Sequence, residues 1–461
     1  MQCRARAIAG ACALFPVFIT GCRSVDPGPD YDRAVEEIRR ATGATNVFHP
    51  DSASEQVDTR VTELLEDGLE LTEAVELGLL NSPLLQASFH SVGMASADRA
   101  QAGLLTNPSL RAVLRFPTSG GAPEIEGGLF ASLLDIWQVP DRERVAEQAL
   151  VQRISQLAHE AVLLAAEIRV AYVGAVCTQR SVEIAMENRS AASSLVELTE
   201  ARLEAAATTA IDANLARLEH AATAIALRDA ELASGEAARR LKALLGLRPD
   251  IDLDLHPLPE WTARTLPPVE ALERIAAEER LDIRAARAAL ARAGAELERQ
   301  QGLVWRRLEV GVGAEKDGDW SLGPGARLEI PLFDQNQAQI AKALEDIRRR
   351  EKILTATTIA AAQEVRSADA RVRAAADTLA IYKSQVLARA EETLEQARSI
   401  YQLGKTTILP VIEAQRHVLD ARQNHVRRLE QAARALSDVE RATGTPRETL
   451  FGRVSEGDQE P

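Results

Sequence analysis

Few of the residue types that carry catalysis or metal binding are grouped in this sequence. The closest pair of histidines, His417 and His425, is eight residues apart, and we interpret it as a solvent-facing pair. After residue 1 the only methionines are Met94 and Met186, so no thioether relay for copper is expected. No phosphate-binding loop, nucleophile elbow, HExxH or paired CxxC motif occurs. The sequence therefore predicts a protein that is not an enzyme, with no metal site and no cofactor.

Charged side chains are instead placed at alternate positions of four short segments, near residues 108–116, 124–134, 304–314 and 320–332. Strands of about ten residues with one apolar face and one charged or glycine-rich face are typical of a transmembrane barrel, with lipid outside and water inside. On this interpretation the charged residues line the barrel lumen and largely neutralise one another. The predicted lumen residues are Arg111, Arg115, Glu124, Glu126, Arg307, Glu309, Arg327 and Glu329.

The same alternation also fits a soluble four-stranded sheet whose apolar face is covered by helices. Two observations favour the barrel. The segments next to the strands are predicted to be long coiled-coil helices, so no spare amphipathic helix could cover the apolar face, and the N-terminus carries a membrane-targeting pattern. Four strands cannot close a barrel, and an open sheet edge is not stable in hydrocarbon. We therefore expect a homotrimer that forms one 12-stranded barrel, continued below by a long α-helical tube.

The elements that would position these strands occur twice in the same order. Each half has a short helix, a second helix, two strands, a long helix, a break and a last helix, over residues 67–248 and 267–445. Residues 249–266 would link the halves, and residues 446–461 would form a flexible tail. The predicted fold class is mainly α with a small β part, built as a duplicated helix–strand–strand–helix repeat.

The long segments carry the spacing of coiled coils. Leu150, Leu157 and Leu164 recur every seven residues in a helix predicted from about residue 141, and such repeats indicate left-handed supercoiling. In the second half a helix is predicted over 335–403, which would be roughly 100 Å long.

Local signals mark the ends of these helices. Asp334 and Gln337 resemble a capping box at the start of the second-half helix. The two breaks align, with Ala206 opposite Gly404, so we expect each pair of long helices to form an antiparallel hairpin.

The N-terminus reads as a lipoprotein signal. Arg4 and Arg6 precede an apolar stretch that ends in Ile19-Thr20-Gly21-Cys22, which resembles a bacterial lipobox. Residues 1–21 would then be removed, Cys22 would carry the lipid, and residues 22–66 would form a lipid-anchored extension. The alternative is an ordinary signal peptide with an incidental cysteine. Cys177 would be the only thiol beyond residue 22, so no intrachain disulfide is expected.

Bulk composition excludes two classes of protein. The formal charge is −14, from 54 basic and 68 acidic residues, which argues against a nucleic-acid surface. No apolar run of membrane-spanning length occurs beyond the first 22 residues, so transmembrane helices are not expected.

Over about residues 60–445 the chain resembles the TolC family of outer-membrane efflux proteins. The duplicated plan carries the resemblance, together with the tip "YQLGKTTILPVIEAQ" and the strand-to-helix passage "IPLFDQNQAQIAKA". With "WQVPDRER" at 137–144, that passage is most similar to the heavy-metal branch, the cobalt–zinc–cadmium and copper–silver outer-membrane factors.

The resemblance implies a passive channel in the bacterial outer membrane, with its helical barrel in the periplasm. Its partners would be a periplasmic adaptor and an inner-membrane pump, usually of the resistance–nodulation–division type, with outer-membrane lipid around the barrel. Substrates would be heavy-metal cations or small toxic compounds, with selectivity set by the pump.

The resemblance also implies roles for the two hairpin tips. The family's Gly-centred adaptor contact corresponds to Leu403, Gly404 and Lys405, whereas the first tip departs from it with Ala206. The family's gate often carries two acidic residues on the second tip; Glu413 fits one position, but Pro410 stands at the other. Asp212 offers a carboxylate on the first tip instead. Either acid could equally be a solvated charge at a helix end.

Two other functions fit parts of the pattern. One is a lipid-anchored periplasmic coiled-coil scaffold whose strands never enter lipid. The other is the exit duct of a type I protein secretion system, with the same fold and another pump.

Overall fold

The computed structural model describes residues 25–116, 118, 120, 123–258, 266–305, 307–317, 319–446, 449 and 450. Cys22 and the signal segment therefore lie outside the described residues. Two helices come first, α1 (Gly28–Thr42) and α2 (Ser54–Glu66). The first repeat contains α3 (Leu71–Asn81), α4 (Pro83–Ala102), β1 (Ser109–Arg115), β2 (Glu124–Ser132), α5 (Asp135–Glu204) and α6 (Ala210–Leu244).

The second repeat follows the same order of elements. It contains α7 (Val269–Glu279), α8 (Leu281–Gly302), β3 (Leu308–Asp317), β4 (Asp319–Leu328), α9 (Gln337–Ile381), α10 (Leu387–Gln402) and α11 (Leu409–Thr443). A π-helical turn, Tyr382–Val386, joins α9 to α10. This architecture confirms the predicted fold class, mainly α with a small β part and duplicated within the chain.

The four strands form one antiparallel sheet in the order β1-β2-β3-β4. Leu110 stands opposite Leu129, and Leu129 stands opposite Val312 on the next strand. On β3 and β4, Glu309 pairs with Arg327. Because side chains alternate between the faces of a strand, this register gives the whole sheet one apolar face and one face of charges and glycines.

The largest core surrounds the upper part of α5. Leu150, Leu157 and Ile168 are fully buried there against residues of α3 and α4. The hydroxyl of Tyr172 lies 2.7 Å from the carbonyl oxygen of Leu69 and 2.9 Å from that of His256. The heptad leucines thus pack within one subunit and fix the short helices beneath the sheet.

The apolar character of α5 has a packing explanation. It is the one described helix that is long and apolar enough to cross a membrane by composition, and 56% of its most apolar window is buried inside the protein. Smaller clusters lie between α5 and α11 lower along the rod, one around Cys177 and Val426 and another around Leu195 and Ile412. These contacts join the two repeats side by side.

Two predicted helix boundaries are wrong. The first long helix begins at Asp135, not near residue 141, and contains Pro140 in its second turn. The second begins at Gln337, not at residue 335, and the turn at Tyr382–Val386 interrupts its α-helical pattern.

The predicted capping box does not form at the start of α9. Asn336 is the residue before the helix and has a φ of 63°, a conformation that asparagine tolerates better than most residues. The carboxylate of Asp334 accepts a hydrogen bond from the Asn336 N–H at 3.0 Å, so Asp334 closes this turn and does not cap the helix.

Candidate functional site

The charged face of the sheet brings most of the predicted lumen residues together. Arg115 donates to Glu126 at 2.9 Å, and Arg327 donates to Glu309 at 3.2 Å. Arg307 lies 3.6 Å from the same Glu309. Opposite charges are therefore paired across neighbouring strands, as the alternation suggested.

The other predicted lumen residues share this face or lie at its end. Arg111 stands opposite Gly128, and Glu124 stands opposite Arg115. Glu329 follows β4, and its N–H donates to the Arg307 carbonyl at 3.0 Å. A role in a barrel lumen stays a prediction for all eight residues.

Sequence reasoning missed Phe130, which lies on the charged face. Its ring covers glycines of three strands: a Cβ atom added at Gly128 would lie 2.7 Å from the ring, and one at Gly325 would lie 3.2 Å from it. The Arg327 guanidinium is 6.0 Å from the ring centroid. The in-register glycines were the signal, since they leave a trough that a large neighbouring ring can fill.

The apolar face of the sheet is bare in the described part of the chain. Leu110 is 80% exposed and Leu322 is 75% exposed. Exposed tryptophans lie at both ends of this region: Trp137 in the first turn of α5, Trp305 shortly before β3, and Trp320 at the far end. A soluble sheet would bury this face under helices, so its exposure favours the membrane interpretation.

Each hairpin tip is a short turn between two long helices. The first runs from Glu204 to Ala210, and Ala206 there has a φ of 54°. The second runs from Gln402 to Leu409, and Gly404 has a φ of 71°. The aligned positions therefore share a left-handed backbone conformation.

The structure exposes all four residues predicted to contact an adaptor: Leu403, Gly404, Lys405 and Ala206. Exposure leaves them available for a partner, and their contact role stays a prediction.

The predicted gate residues differ in their surroundings. The Asp212 carboxylate accepts a hydrogen bond from the Thr208 hydroxyl at 2.7 Å, and the Asp212 N–H donates to the Thr209 hydroxyl at 3.2 Å. Asp212 thus helps to begin α6. Glu413 is exposed, with Arg416 one turn further along α11, and Pro410 is exposed in the first turn of that helix. Proline fits there because its fixed φ suits a first helical turn.

An arginine clamp that sequence reasoning did not find joins the two tips. Arg202 of α5 donates to the Tyr401 carbonyl at 2.7 Å, and its guanidinium lies 4.6 Å from the centroid of the Tyr401 ring. The Tyr401 side chain is buried. Arginine is well suited to this position because its planar group can stack and donate at once.

A second cross-link lies further from the tips. Arg416 of α11 donates to the Glu219 carboxylate of α6 at 3.0 Å. Glu219 is only 5% exposed, and Arg416 is its charged partner. Single-sequence patterns cannot find this pair, because the two residues lie on different repeats.

No group of three or more His, Cys, Asp or Glu side chains that could hold a metal ion occurs among the described residues. His417 is exposed, and His425 is half-buried on the same helix. Burial lowers the pKa of His425, and the positive charge of Lys383 lowers it further. The site consists of a two-faced sheet and two linked tips.

Comparison with known proteins agrees with this geometry. Residues 272–445 match the family described as outer membrane efflux protein. Over this segment the chain is similar to the outer membrane efflux protein family. The matched segment covers most of the second repeat, including β3, β4 and the second tip.

One curated protein extends the comparison. Over 163 residues the chain is 29% identical to the cobalt-zinc-cadmium resistance protein CzcC of Cupriavidus metallidurans. That match covers 32% of this chain and 38% of CzcC, so it spans well under half of the curated relative.

Solved structures extend the likeness to both repeats. The outer-membrane channel OprN has a TM-score of 0.70 at 19% identity, over 88% of this chain and 95% of OprN. The outer membrane protein VceC of Vibrio cholerae has a TM-score of 0.69 at 18% identity, over 82% of this chain and 96% of VceC. At these identities the likeness shows the fold.

Proposed function

We propose that the protein is the outer-membrane channel of a tripartite efflux system and acts as a passive export duct. The observation that carries the proposal is the four-stranded sheet, whose apolar face is bare and whose charged face is internally paired. β2 and β4 are followed by helices far longer than a globular core requires. A wall that crosses a membrane and extends below it accounts for both features. A periplasmic scaffold would not explain why the apolar face of the sheet is exposed.

The sheet edges support a trimer. Within the described residues β1 pairs only with β2, and β4 pairs only with β3, so each subunit has two open edges. Open edges cannot remain unpaired in hydrocarbon, and three copies of a four-stranded sheet give a closed barrel with an even number of strands.

The helices support the same assembly. Four large apolar residues recur every seven positions on the outer side of α6 and are 60–72% exposed: Ile211, Leu218, Ile225 and Leu232. A heptad stripe of this kind normally packs against another helix. Its partner would be the neighbouring subunit, which would close the helices into a tube in the periplasm.

The match to the family model over residues 272–445 and the CzcC match support a proposal for substrate and partners. We infer export of heavy-metal cations or small toxic compounds, delivered by an inner-membrane pump, usually of the resistance–nodulation–division type, through a periplasmic adaptor. The exposed tips, with Leu403, Gly404, Lys405 and Ala206, would meet the adaptor. We also propose a lipid at Cys22, after removal of a signal peptide, and no catalytic step.

For the gate we favour Glu413 over Asp212. The Asp212 carboxylate is engaged by Thr208, whereas Glu413 is exposed near the tip. Three copies of Glu413 around a narrow opening would attract cations through their combined negative charge.

Single-channel recording tests the proposal. The detergent-purified protein is reconstituted in a planar bilayer, and wild type is compared with Glu413→Gln. Glu351→Gln, at an exposed carboxylate far from the tip on α9, is the matched control. We expect steady unitary conductance from wild type and the control, and a loss of cation preference only in Glu413→Gln. The oligomer mass is measured in parallel, because a sealed trimer would also be silent. A folded monomer without conductance would contradict the channel.

A further inference from the structure

The apolar face of the sheet carries one charged side chain among the described strand residues, Lys316 of β3. It stands opposite Ile125 on β2 and Trp320 on β4, and Ile125 in turn stands opposite Leu114. The four residues form one row across the sheet, on the face that the proposed barrel turns toward lipid. A lysine in such a row needs an explanation, because a charge that faces hydrocarbon is costly.

The row lies at the end of the sheet far from the helices. Lys316 is eight residues beyond Leu308, the first residue of β3, which corresponds to roughly 27 Å along the strand. The apolar band of an outer-membrane barrel is about 25 Å tall, and a strand tilted by about 40° rises roughly 21 Å over that length. In the proposed orientation Lys316 therefore lies at the outer rim of the band, at the level of lipid headgroups.

The side chain has no acidic partner in the part of the chain that the structure describes. Its Nζ lies 6.0 Å from the centroid of the Trp320 ring, which is 64% exposed. The nearby acids Glu315 and Asp319 alternate onto the opposite, charged face of the sheet. Among the described side chains Lys316 thus presents a positive charge without an acidic partner, beside an indole, at the proposed membrane surface.

We propose that Lys316 and Trp320 form an interfacial site for the phosphate-bearing headgroup of an outer-leaflet lipid, one site in each subunit. The ammonium group offers three donors to phosphate oxygens, while the indole lies at the headgroup level, as tryptophans of membrane proteins commonly do. The aliphatic stem of Lys316 covers the apolar row beneath it. The inference rests on the proposed membrane barrel.

Native mass spectrometry of the full-length protein in detergent tests the site. The probes are a synthetic bisphosphorylated lipid A, its unphosphorylated counterpart, and inorganic phosphate. The variants are Lys316→Gln and Lys316→Arg. Arg115→Gln is the matched control, since it removes a charge on the opposite face at a similar height. Variants are used only if their oligomer mass equals that of wild type.

We expect up to three phosphorylated lipids per trimer, with binding about fivefold weaker per site in Lys316→Gln, as one lysine near an anionic surface contributes. Lys316→Arg and Arg115→Gln should bind as wild type does. Equal binding by Lys316→Gln and wild type, or no preference for the phosphorylated lipid, would overturn the inference. If inorganic phosphate fully displaced the phosphorylated lipid, the site would bind free phosphate and the lipid assignment would be wrong. A wild-type trimer without lipid refutes this site alone, whereas a monomer refutes the proposed channel.

Discussion

At the two hairpin tips one backbone conformation is occupied by different residues. Gly404 and Ala206 both have positive φ, at 71° and 54°. Glycine adopts this region without strain, whereas the Cβ of alanine meets the neighbouring carbonyl oxygen. The alignment of the two breaks predicted that the tips are equivalent, but only the structure shows that the alanine is strained.

We expect opposite effects when these residues are exchanged. Ala206→Gly should stabilise the first tip by about 0.5–1 kcal/mol, because relief of strain exceeds the added freedom of the unfolded chain. Gly404→Ala should destabilise the second tip by about 1 kcal/mol. Amide hydrogen exchange of the two tips measures both, and the unchanged tip in each variant is the internal control. Faster exchange at the first tip in Ala206→Gly would show that its strain is relieved elsewhere.

Residue-level contacts were the hardest to predict. The alternation of charges predicted the face of Arg115 and Glu126, because side-chain direction in a strand follows from sequence parity. The contacts of Arg202 with Tyr401 and of Arg416 with Glu219 were missed, since they join residues nearly 200 positions apart. The sequence predicted Asp334 as the residue that caps α9, because a capping box assumes an extended residue before the helix. The residue before α9 is Asn336, and its backbone is left-handed.

At the scale of elements, α6 has two apolar sides with different partners. Ala213, Ala216 and Leu227 are buried within the subunit, whereas the stripe from Ile211 to Leu232 is exposed. An isolated coiled-coil rod would have polar residues on that outer side. In the proposed trimer this stripe would pack against the neighbouring subunit.

A charge placed on the stripe should weaken the proposed trimer. We expect Ile225→Glu to shift the detergent-solubilised protein from trimer toward monomer, because the carboxylate would be buried without a partner. Ala233→Glu is the control: the residue is exposed on the same helix, but it lies about 100° around the axis from Leu232. Analytical ultracentrifugation gives the mass of each variant. An intact trimer in Ile225→Glu would show that this stripe faces something other than a second copy.

Element boundaries show what periodicity can and cannot predict. Sevenfold spacing predicted the long helices and their pairing, because a core stripe must recur with the helix turn. It did not predict the π-helical turn at Tyr382–Val386, because a spacing rule carries no signal for a single turn that contains one extra residue.

For the whole molecule, the junction of the two repeats contains a buried ionic group. Arg280 is 6% exposed and donates to Asp282 at 2.7 Å and to Glu364 at 2.8 Å. His159 of the first repeat lies close to these charges. Burial is the main cause of its lowered pKa; Arg280 adds to the effect, while Asp282, Glu364 and Glu160 oppose it.

This histidine should make the protein less stable in acid. Its folded-state pKa lies below the unfolded value of about 6.5, so the unfolded chain takes up the proton first as the pH falls. Stability is therefore retained above that value and lost below it. We expect the midpoint temperature of thermal unfolding to decrease when the pH is lowered from 7.5 to 5.5. His159→Gln should make this decrease smaller. The double variant His159→Gln/His425→Gln should make the decrease smaller still. His90→Gln, at an exposed histidine, is the control. An undiminished fall in the double variant would assign the acid sensitivity to other groups.

The duplicated plan and the two-faced sheet could be predicted from this one sequence, because both follow from repeated local patterns. Closure of a barrel could not be read from one subunit, since the outer edges of β1 and β4 have no strand partner among the described residues. The likeness to solved structures shows the fold, and the exposed apolar face supplies the physical reason for placing the sheet in a membrane.

The most direct test of the account is electron cryo-microscopy of the full-length protein in lipid nanodiscs. We predict three copies, with β1 of one subunit paired with β4 of the next, the apolar face toward lipid, and a helical tube below the membrane. A map in which the sheet lies outside the lipid, or in which the subunits do not share a barrel, would contradict it.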